Sequence, residues 1–419
     1  MNKIKSIFAL LFLFNLLLFS REITLKEAID LTFENNPTLK TKLNDFKSAE
    51  YSYYVSLNSY YPRVSLSHGF SRSGGERRTP SNSFSTSISF SQSLFDYGSI
   101  ISIQTAKLNY EIAELQLKSY LIELRKNLYT AFYNLYFAYK IVEVGEKIVD
   151  IRKSNADLIT LKYESGMESK GDMLYAKAQY EMAKLNLEKS KRDLKTASNA
   201  LKSIIGISSD DMLIARVDEL KEIDRVDFNL NEIDNLIKIN PNYKIYEKNV
   251  KLAKMKLENA KLDWLPKLSF SASKSYTGDR EFPDRESWSL GISMSFPIFS
   301  SGITYRKNNV LSLEKSLESS EEKLRDYYIN LREQIKSVYL DLLNAIDTLK
   351  TYKILLSANE ERYRESLIKY MAGRMSYVDL ENMEQNLIDS KQSYINYLKN
   401  VYIKKINLDY LLSEKLEKI

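Results

Sequence analysis

Two aspartates sit at matching places in the chain. Asp172 follows Gly166-Met167-Glu168-Ser169, and Asp379 follows Gly373-Arg374-Met375-Ser376, 207 residues later. Carboxylates so placed can attract cations or pair with a base. Arg374, which the second turn carries next to its glycine where the first has Met167, is the partner to expect for such a pair. Neither aspartate belongs to a reactive constellation. His68 is the only histidine and there is no cysteine, so a hydrolytic triad has no base and a soft metal site has too few ligands. No nucleotide-binding loop occurs either. The chemistry on offer is electrostatic and needs no catalysis, metal or cofactor. The same residues also have a local role. Gly166 and Gly373 suit the position that closes a helix. Ser169 and Ser376 suit the N-cap of the next, with Asp172 and Asp379 at the capping-box position.

The elements that hold these turns are long helices. No proline occurs between Ile101 and Leu161, and a helix of that length spans roughly 90 Å. Leu117, Leu121, Leu124, Leu128, Ala131 and Leu135 step four and three alternately, and Leu324, Tyr328, Leu331, Ile335, Val338 and Leu342 repeat the pattern. The return segments match as well. Met173, Ala176, Tyr180, Ala183, Leu187, Ser190 and Leu194 answer Leu380, Met383, Leu387, Ser390, Tyr394, Tyr397 and Val401. These are heptad seams of two coiled-coil hairpins, over about 101–204 and 303–412. Small, hydroxyl and tyrosine residues at seam positions suit a broad helical cylinder with a wet face.

Upstream of each hairpin the period changes to two. Val64, Leu66, His68 and Phe70 alternate with serines and a glycine, as do Phe84, Thr86, Ile88, Phe90 and Leu94. The second half repeats this with Leu268, Phe270, Ala272 and Tyr276, then Trp288, Leu290, Ile292, Met294, Phe296 and Ile298. Four strands are expected, near 63–73, 83–94, 267–276 and 287–298, each with one apolar and one serine-rich face. Pro62 and Pro266 mark where strands begin. The segments from Gly74 to Pro80 and from Thr277 to Asp284 read as exposed hairpin loops. Strands of this length suit a bilayer, and a serine face suits a wet lumen. Four strands cannot close, so other subunits must complete the barrel. Two chains would give 8 strands and three would give 12. A pore favours three.

Strands and hairpins alike are duplicated. Asn36-Pro37 recurs as Asn240-Pro241, Pro62 as Pro266, Phe95 as Phe299 and Gly98 as Gly302, each 204 residues on. After a three-residue slip the offset becomes 207, as in Arg125/Arg332 and Lys162-Tyr163/Lys369-Tyr370. Two copies of one unit are expected, over residues 21–205 and 232–419. An acidic, aperiodic linker at 206–231 joins them, with Asp210, Asp211, Glu219, Glu222 and Asp224. It reads as a short irregular helix or strand, with the chain end after Leu412 beside it.

Composition limits the remaining possibilities. The 419 residues carry a net charge of +6 with acids and bases interleaved, and no dense basic tract points to nucleic acid. Residues 1–20 have a basic start and an apolar run from Ile7 to Phe19, the pattern of a signal peptide with Ser20 at its cleavage site. No later stretch approaches 18 uninterrupted apolar residues, so helices do not hold the protein in a membrane. An alternative remains: a structural or adhesive coiled-coil surface protein without a pore, its strands packed as a soluble sheet.

In order and duplicated, these phrases resemble the TolC-type outer membrane efflux protein family. The resemblance rests on Leu25-Lys26-Glu27-Ala28, Asn35-Asn36-Pro37-Thr38-Leu39, Tyr61-Pro62-Arg63, Leu265-Pro266-Lys267, Phe95-Asp96-Tyr97-Gly98, the stretch from Phe296 to Gly302, and the turn from Lys369 to Leu380. It implies a mixed α/β membrane protein: a homotrimeric 12-strand outer-membrane β-barrel, four strands per chain, continued by a long periplasmic α-helical coiled-coil barrel. It implies a passive exit duct for efflux or type I secretion, seated in outer-membrane lipid. The duct docks a periplasmic adaptor and, through it, an inner-membrane pump. By the same resemblance Gly166, Met167, Gly373 and Arg374 are adaptor-contact residues, while Arg374 and Asp379 belong to the aperture; in a trimer Asp172 and Asp379 would together ring it with six carboxylates. Asn382 departs from relatives with a second acidic ring residue, which implies a weaker ring.

Overall fold

The computed structural model describes residues 20–218, 220, 223–225, 228–298 and 302–413. The leader over residues 1–19, Glu219 and Glu222, the Phe299-Ser300-Ser301 stretch and the chain end past residue 413 lie outside the described residues. In chain order the elements are β1 (Ser20–Thr24), α1 (Leu25–Asn35), α2 (Pro37–Leu57), β2 (Arg63–Gly75), β3 (Arg78–Phe95), α3 (Tyr97–Glu164) and α4 (Lys170–Ile205). There follow β4 (Met212–Arg216), α5 (Ile233–Ile239), α6 (Pro241–Lys261), β5 (Lys267–Gly278), β6 (Arg285–Ser295), α7 (Tyr305–Met371) and α8 (Tyr377–Leu411). The chain is mostly helical, with one small antiparallel sheet.

One compact unit holds the described residues up to Lys40, Ser119–Ile237 and those from Asn330 onward. Its helices pack along the seams, with Leu128, Leu135, Ile335, Leu342 and Val401 fully or almost fully buried. On α8 the seam departs from expectation. Glu384 is buried, whereas the expected Met383 is only partly covered. The seam runs through Tyr377, Leu380, Glu384 and Leu387, still in steps of three and four, and it admits a carboxylate. The linker forms strand β4, paired in parallel with β1 from Ser20↔Met212 to Thr24↔Arg216. Ser198 and Lys202 of α4 fasten it. The Ser198 hydroxyl accepts the Leu213 N–H at 2.8 Å, and Lys202 Nζ donates to the Ser209 and Asp211 carbonyls at 2.9 and 3.0 Å.

The second unit, Thr41–Lys118 with Lys238–Ile329, contains the four-stranded sheet in the order β2-β3-β5-β6. Its register sorts the side chains by chemistry. Ser67, Ser87, Ser275 and Ser287 form one row across all four strands, and Ser65, Ser89, Ser273 and Ser289 form the next. Hydroxyls bridge neighbours along these rows, 2.7 Å apart for Ser67–Ser87 and for Ser275–Ser287. On the other face Val64, Phe90, Ala272 and Leu290 make a row, and Leu66, Ile88, Lys274 and Trp288 another. Alternation expected that apolar face but passed over Lys274. Its Nζ lies 2.9 Å from Glu286 Oε1, near the strand ends. Among the described residues no helix packs extensively on either face. Leu66 is 75% exposed, Trp288 70% and Ile292 68%.

Several element limits differ from expectation for local reasons. β2 and β3 pair out to Gly75↔Arg78, so their loop shrinks to Glu76-Arg77 as backbone groups find ladder partners. β6 ends at Ser295, ahead of Pro297, which has no N–H to give a ladder. α3 starts at Tyr97 because Asp96 caps it, accepting the Gly98 N–H at 3.0 Å.

The duplicated Asn-Pro pair also has a physical reason. Asn36 Oδ1 accepts the Leu39 N–H at 2.7 Å, its Nδ2 donates to the Ile204 carbonyl at 2.6 Å, and the Tyr120 hydroxyl donates to Oδ1 at 3.4 Å. In the other unit, Asn240 Oδ1 accepts the Asn242 N–H at 2.9 Å and the Tyr327 hydroxyl at 3.3 Å. Asparagine caps, proline takes the first helical position, and a repeated tyrosine closes the cap. Asn36→Ala is expected to cost about 1 kcal/mol through the cap alone. It should lower the midpoint of thermal unfolding more than Asn36→Ser, which keeps a capping oxygen. Equal midpoints for the two variants would contradict this role.

Candidate functional site at the hairpin turns

Each hairpin reverses through the same backbone device. Gly166 and Gly373 have φ of +74° and +71°. The Gly166 N–H bonds the Tyr163 carbonyl at 2.9 Å and the Met167 N–H bonds the Lys162 carbonyl at 2.8 Å. In the second turn Gly373 bonds Tyr370 at 3.0 Å and Arg374 bonds Lys369 at 2.9 Å. This pair of reverse bonds is the Schellman closure, and it needs a left-handed residue at its centre. Space does not demand glycine, since a Cβ at either position would meet nothing within 4 Å. The backbone angle alone demands it.

The following helices begin alike. Ser169 Oγ accepts the Asp172 N–H at 3.0 Å, and Ser376 Oγ accepts the Asp379 N–H at 3.1 Å. The expected capping box closes differently from the usual pattern. Each aspartate is too short to reach the cap backbone, and its Oδ2 instead accepts the cap serine's own hydroxyl at 2.6 Å. That arrangement ties each carboxylate to its own cap. Arg374 is exposed, as are Asp379, Asn382, Gly373 and Met167. Within the chain Asp172, Asp379 and Arg374 are not drawn into one network. Pro62 and Pro266 stand directly before β2 and β5.

What joins the two turns is a tyrosine and a lysine that sequence reasoning passed over. Tyr370 is 1% exposed. Its hydroxyl donates to Glu168 Oε1 at 2.6 Å, across from the second hairpin to the first. Lys162 Nζ lies 3.6 Å from the centre of the Tyr370 ring and donates to its carbonyl at 3.0 Å, a cation–π contact sheltered from water. Burial, reinforced by the bond to Glu168, pushes the Tyr370 hydroxyl well above its ordinary range. Around it Ile159, Met173, Ala176, Tyr377 and Leu380 form an apolar core shared by both hairpins. In the sequence, Lys162-Tyr163/Lys369-Tyr370 marks the repeat and Lys369-Tyr370 opens the second turn motif, with no contact role assigned to either. The sequence carried no signal to separate them, because only the structure makes Tyr370 a core residue while Tyr163 merely packs against that core.

Deeper in the same unit lies a polar cluster. Arg152 Nε stands 3.1 Å from Glu384 Oε1, with side-chain exposures of 5% and 2%. Oε1 accepts no aligned hydrogen bond, so this contact is Coulombic. Glu384 Oε2 accepts from Asn155, and Asn155 also donates to the Tyr363 hydroxyl at 3.1 Å. The Arg152 fork reaches Gln385 Oε1 at 2.5 Å. Burial raises the Glu384 carboxyl, against the pull of Arg152 and Asn155. Burial, with Glu384 nearby, pushes the Tyr363 hydroxyl up to about 12.

The profile of the outer membrane efflux protein family matches residues 28–207 and 233–414, one segment in each copy of the duplication. The chain belongs to that family. It is a passive exit duct of the outer membrane, with its helical region on the periplasmic side, and it is not an enzyme. Among solved structures, the CusC channel protein is 17% identical with a TM-score of 0.83, covering 93% of this chain and 91% of CusC. The outer membrane channel CmeC of Campylobacter jejuni is 16% identical with a TM-score of 0.82, covering 93% of this chain and 85% of its own. The outer membrane protein VceC of Vibrio cholerae is 15% identical with a TM-score of 0.80, covering 94% and 97%. No curated protein matches by sequence. Among the described residues no helix is long and apolar enough to cross a membrane.

Two predictions follow from the site's geometry. Gly373→Ala forces a left-handed alanine and is expected to cost about 1–2 kcal/mol. Gly171→Ala, on an ordinary helical turn, should stabilise by about 0.5–1 kcal/mol. Thermal melts of the two variants should therefore shift in opposite directions. Glu384 holds its proton more tightly in the fold than in the unfolded chain. Its contribution to stability therefore grows as pH falls through the raised folded value, levelling off near the unfolded value of about 4.3. Wild type should gain stability relative to Glu384→Gln as pH is lowered through the raised folded value toward the unfolded one. A relative loss over that range would contradict the assignment.

Proposed function

We propose that three copies of this chain close their sheets into one 12-strand barrel, and that their hairpins continue it as a periplasmic tunnel. The observation that carries this reading is the sheet itself. It has open edges at β2 and β6, an uncovered apolar face, and a face of serine rows. Open edges are not tolerated in lipid, so neighbouring copies must pair them. Twelve strands leave a wider lumen than eight, and the hydroxyl rows suit a water-filled one. Each chain then contributes two structural repeats, residues 21–205 and 232–419, with residues 206–231 as a belt between them.

At the far end of the hairpins, Asp172 and Asp379 from three chains form a ring of six carboxylates that attracts cations, with Asn382 diluting it. Arg374 pairs across subunits and holds the aperture narrow. The exposed turns at Gly166-Met167 and Gly373-Arg374 are the grip for a periplasmic adaptor, which couples the duct to an inner-membrane pump. Energy comes from that pump, in small-molecule efflux or type I secretion. The adhesive, pore-free alternative leaves the exposed apolar face without a partner and is disfavoured for that reason.

Planar-bilayer recording of the purified protein tests the reading. Cation-selective pores of low conductance are expected. Arg374→Ser should raise the conductance severalfold, and Asp379→Asn should weaken the cation preference. A water-soluble monomer that forms no pore would overturn the proposal, and an unchanged Arg374→Ser conductance would remove Arg374 from the aperture.

A further inference from the structure

The buried cluster around Arg152 lies away from the turns and takes no part in their closure. Helices α3 and α8 run antiparallel, and a step of four up one matches a step of four down the other. Ile148 packs with Ile388 in one apolar cluster, and Arg152 meets Glu384 four residues further on. Arg152 sits on the continuation of the α3 heptad series that includes Val142 and Ala156, both buried. The two ions thus occupy seam positions that aliphatic side chains would fill more cheaply.

An apolar heptad seam tolerates slippage. Moving α8 along α3 by seven residues sets one apolar row against another much as before, except where Arg125 stands 3.8 Å from Asp409 in a second, looser pair of the same two helices. The ion pair does not tolerate it. A slip in one direction puts Arg152 against Lys391, and in the other against Tyr377. Glu384 would then face Ile159 in the first case and Gly145 in the second. Each alternative leaves a buried charge unpaired or opposes like charges, and burying an unpaired charge is among the costliest defects a core can hold. Polar residues at core positions are best attested as register-setting devices in coiled coils.

We infer that Arg152 and Glu384 are positioning residues that fix the axial register between the first hairpin and the returning helix of the second. Asn155 of α3 and Gln385 of α8 hold the pair, and Tyr363 of α7 holds Asn155. Asn359 of α7 adds a second tie to α8, its Nδ2 donating to Ser390 Oγ at 2.5 Å. The consequence is that the turns at Gly166 and Gly373, with their carboxylates, stay level. This rests on the reading of those turns as the aperture of a duct. Burial of Glu384 raises its carboxyl despite Arg152 beside it, the desolvation cost that a buried ion pair carries.

The chain has no cysteine, so spin labels placed at exposed Lys153 and Asn386 report the α3–α8 register directly. Labelled chain is diluted with unlabelled chain in detergent, and electron–electron distances are measured. Wild type should give one narrow distance. Arg152→Met with Glu384→Leu should melt at the same or a higher temperature, yet add a second distance population from a slip of about 10 Å along the helix axis. The exchanged pair, Arg152→Glu with Glu384→Arg, should restore a single distance, and it serves as the test if the apolar variant fails to fold. A single narrow distance in the Met/Leu variant, or slippage in the exchanged pair, would overturn the inference. Conductance is recorded separately. Register loss with no pore in any variant would sink the duct reading and leave the register assignment standing.

Discussion

A sheet edge in lipid has no water to satisfy its N–H and C=O groups, and each group left unpaired costs several kcal/mol. Four strands with edges at β2 and β6 face that cost along their whole length. Much else in the molecule is consistent with meeting it. The strands carry apolar side chains on one face and serines on the other. They are interleaved with helices, so that one chain supplies only part of a wall. In the proposed barrel the wall is completed by repetition, first within the chain through duplication and then between chains.

The serine rows and the helical seams meet different requirements. In the sheet, hydroxyls bridge neighbouring strands row by row and leave donors and acceptors for water. In the hairpins, the seams are filled by leucine, alanine and tyrosine, with the Arg152–Glu384 pair set among them. The sheet needs a uniform lining and uses one residue type. The helices need a single alignment and use a defect that only one alignment satisfies. A uniform seam would be stable in several registers, whereas a mixed seam gives up some stability for one.

Much of this was legible in the sequence, for reasons that particular residues make plain. Alternation at Phe84, Thr86, Ile88 and Phe90 could mean only a two-faced strand, and Ser85, Ser87 and Ser89 share one face in the sheet. Glycine and serine at each hairpin turn have backbone roles that depend on a few neighbours, so local chemistry sufficed for Gly166, Ser169, Gly373 and Ser376. The buried ions were not legible. A heptad reading favours apolar residues, and it chose Met383 over the adjacent Glu384. The partner Arg152 stands 232 residues away, and no local pattern links them. Lys274 was missed for a similar reason, since a cation on an apolar strand face is sensible only once Glu286 is found beside it. Tyr370 was hidden by its own repeat, because Tyr163 shares its position but not its burial.

The two-faced sheet is the claim on which the account stands, and spin-label accessibility along β6 tests it most directly. Single cysteines at residues 287 to 294 would be labelled in protein reconstituted into bilayers. Collision rates would then be measured with oxygen, which concentrates in lipid, and with a water-soluble nickel chelate. Two curves of period two in opposite phase are predicted. Oxygen should peak at residues 288, 290, 292 and 294, and the chelate at 287, 289, 291 and 293. Curves in phase, or apolar positions shielded from both reagents, would place that face against protein and contradict the account.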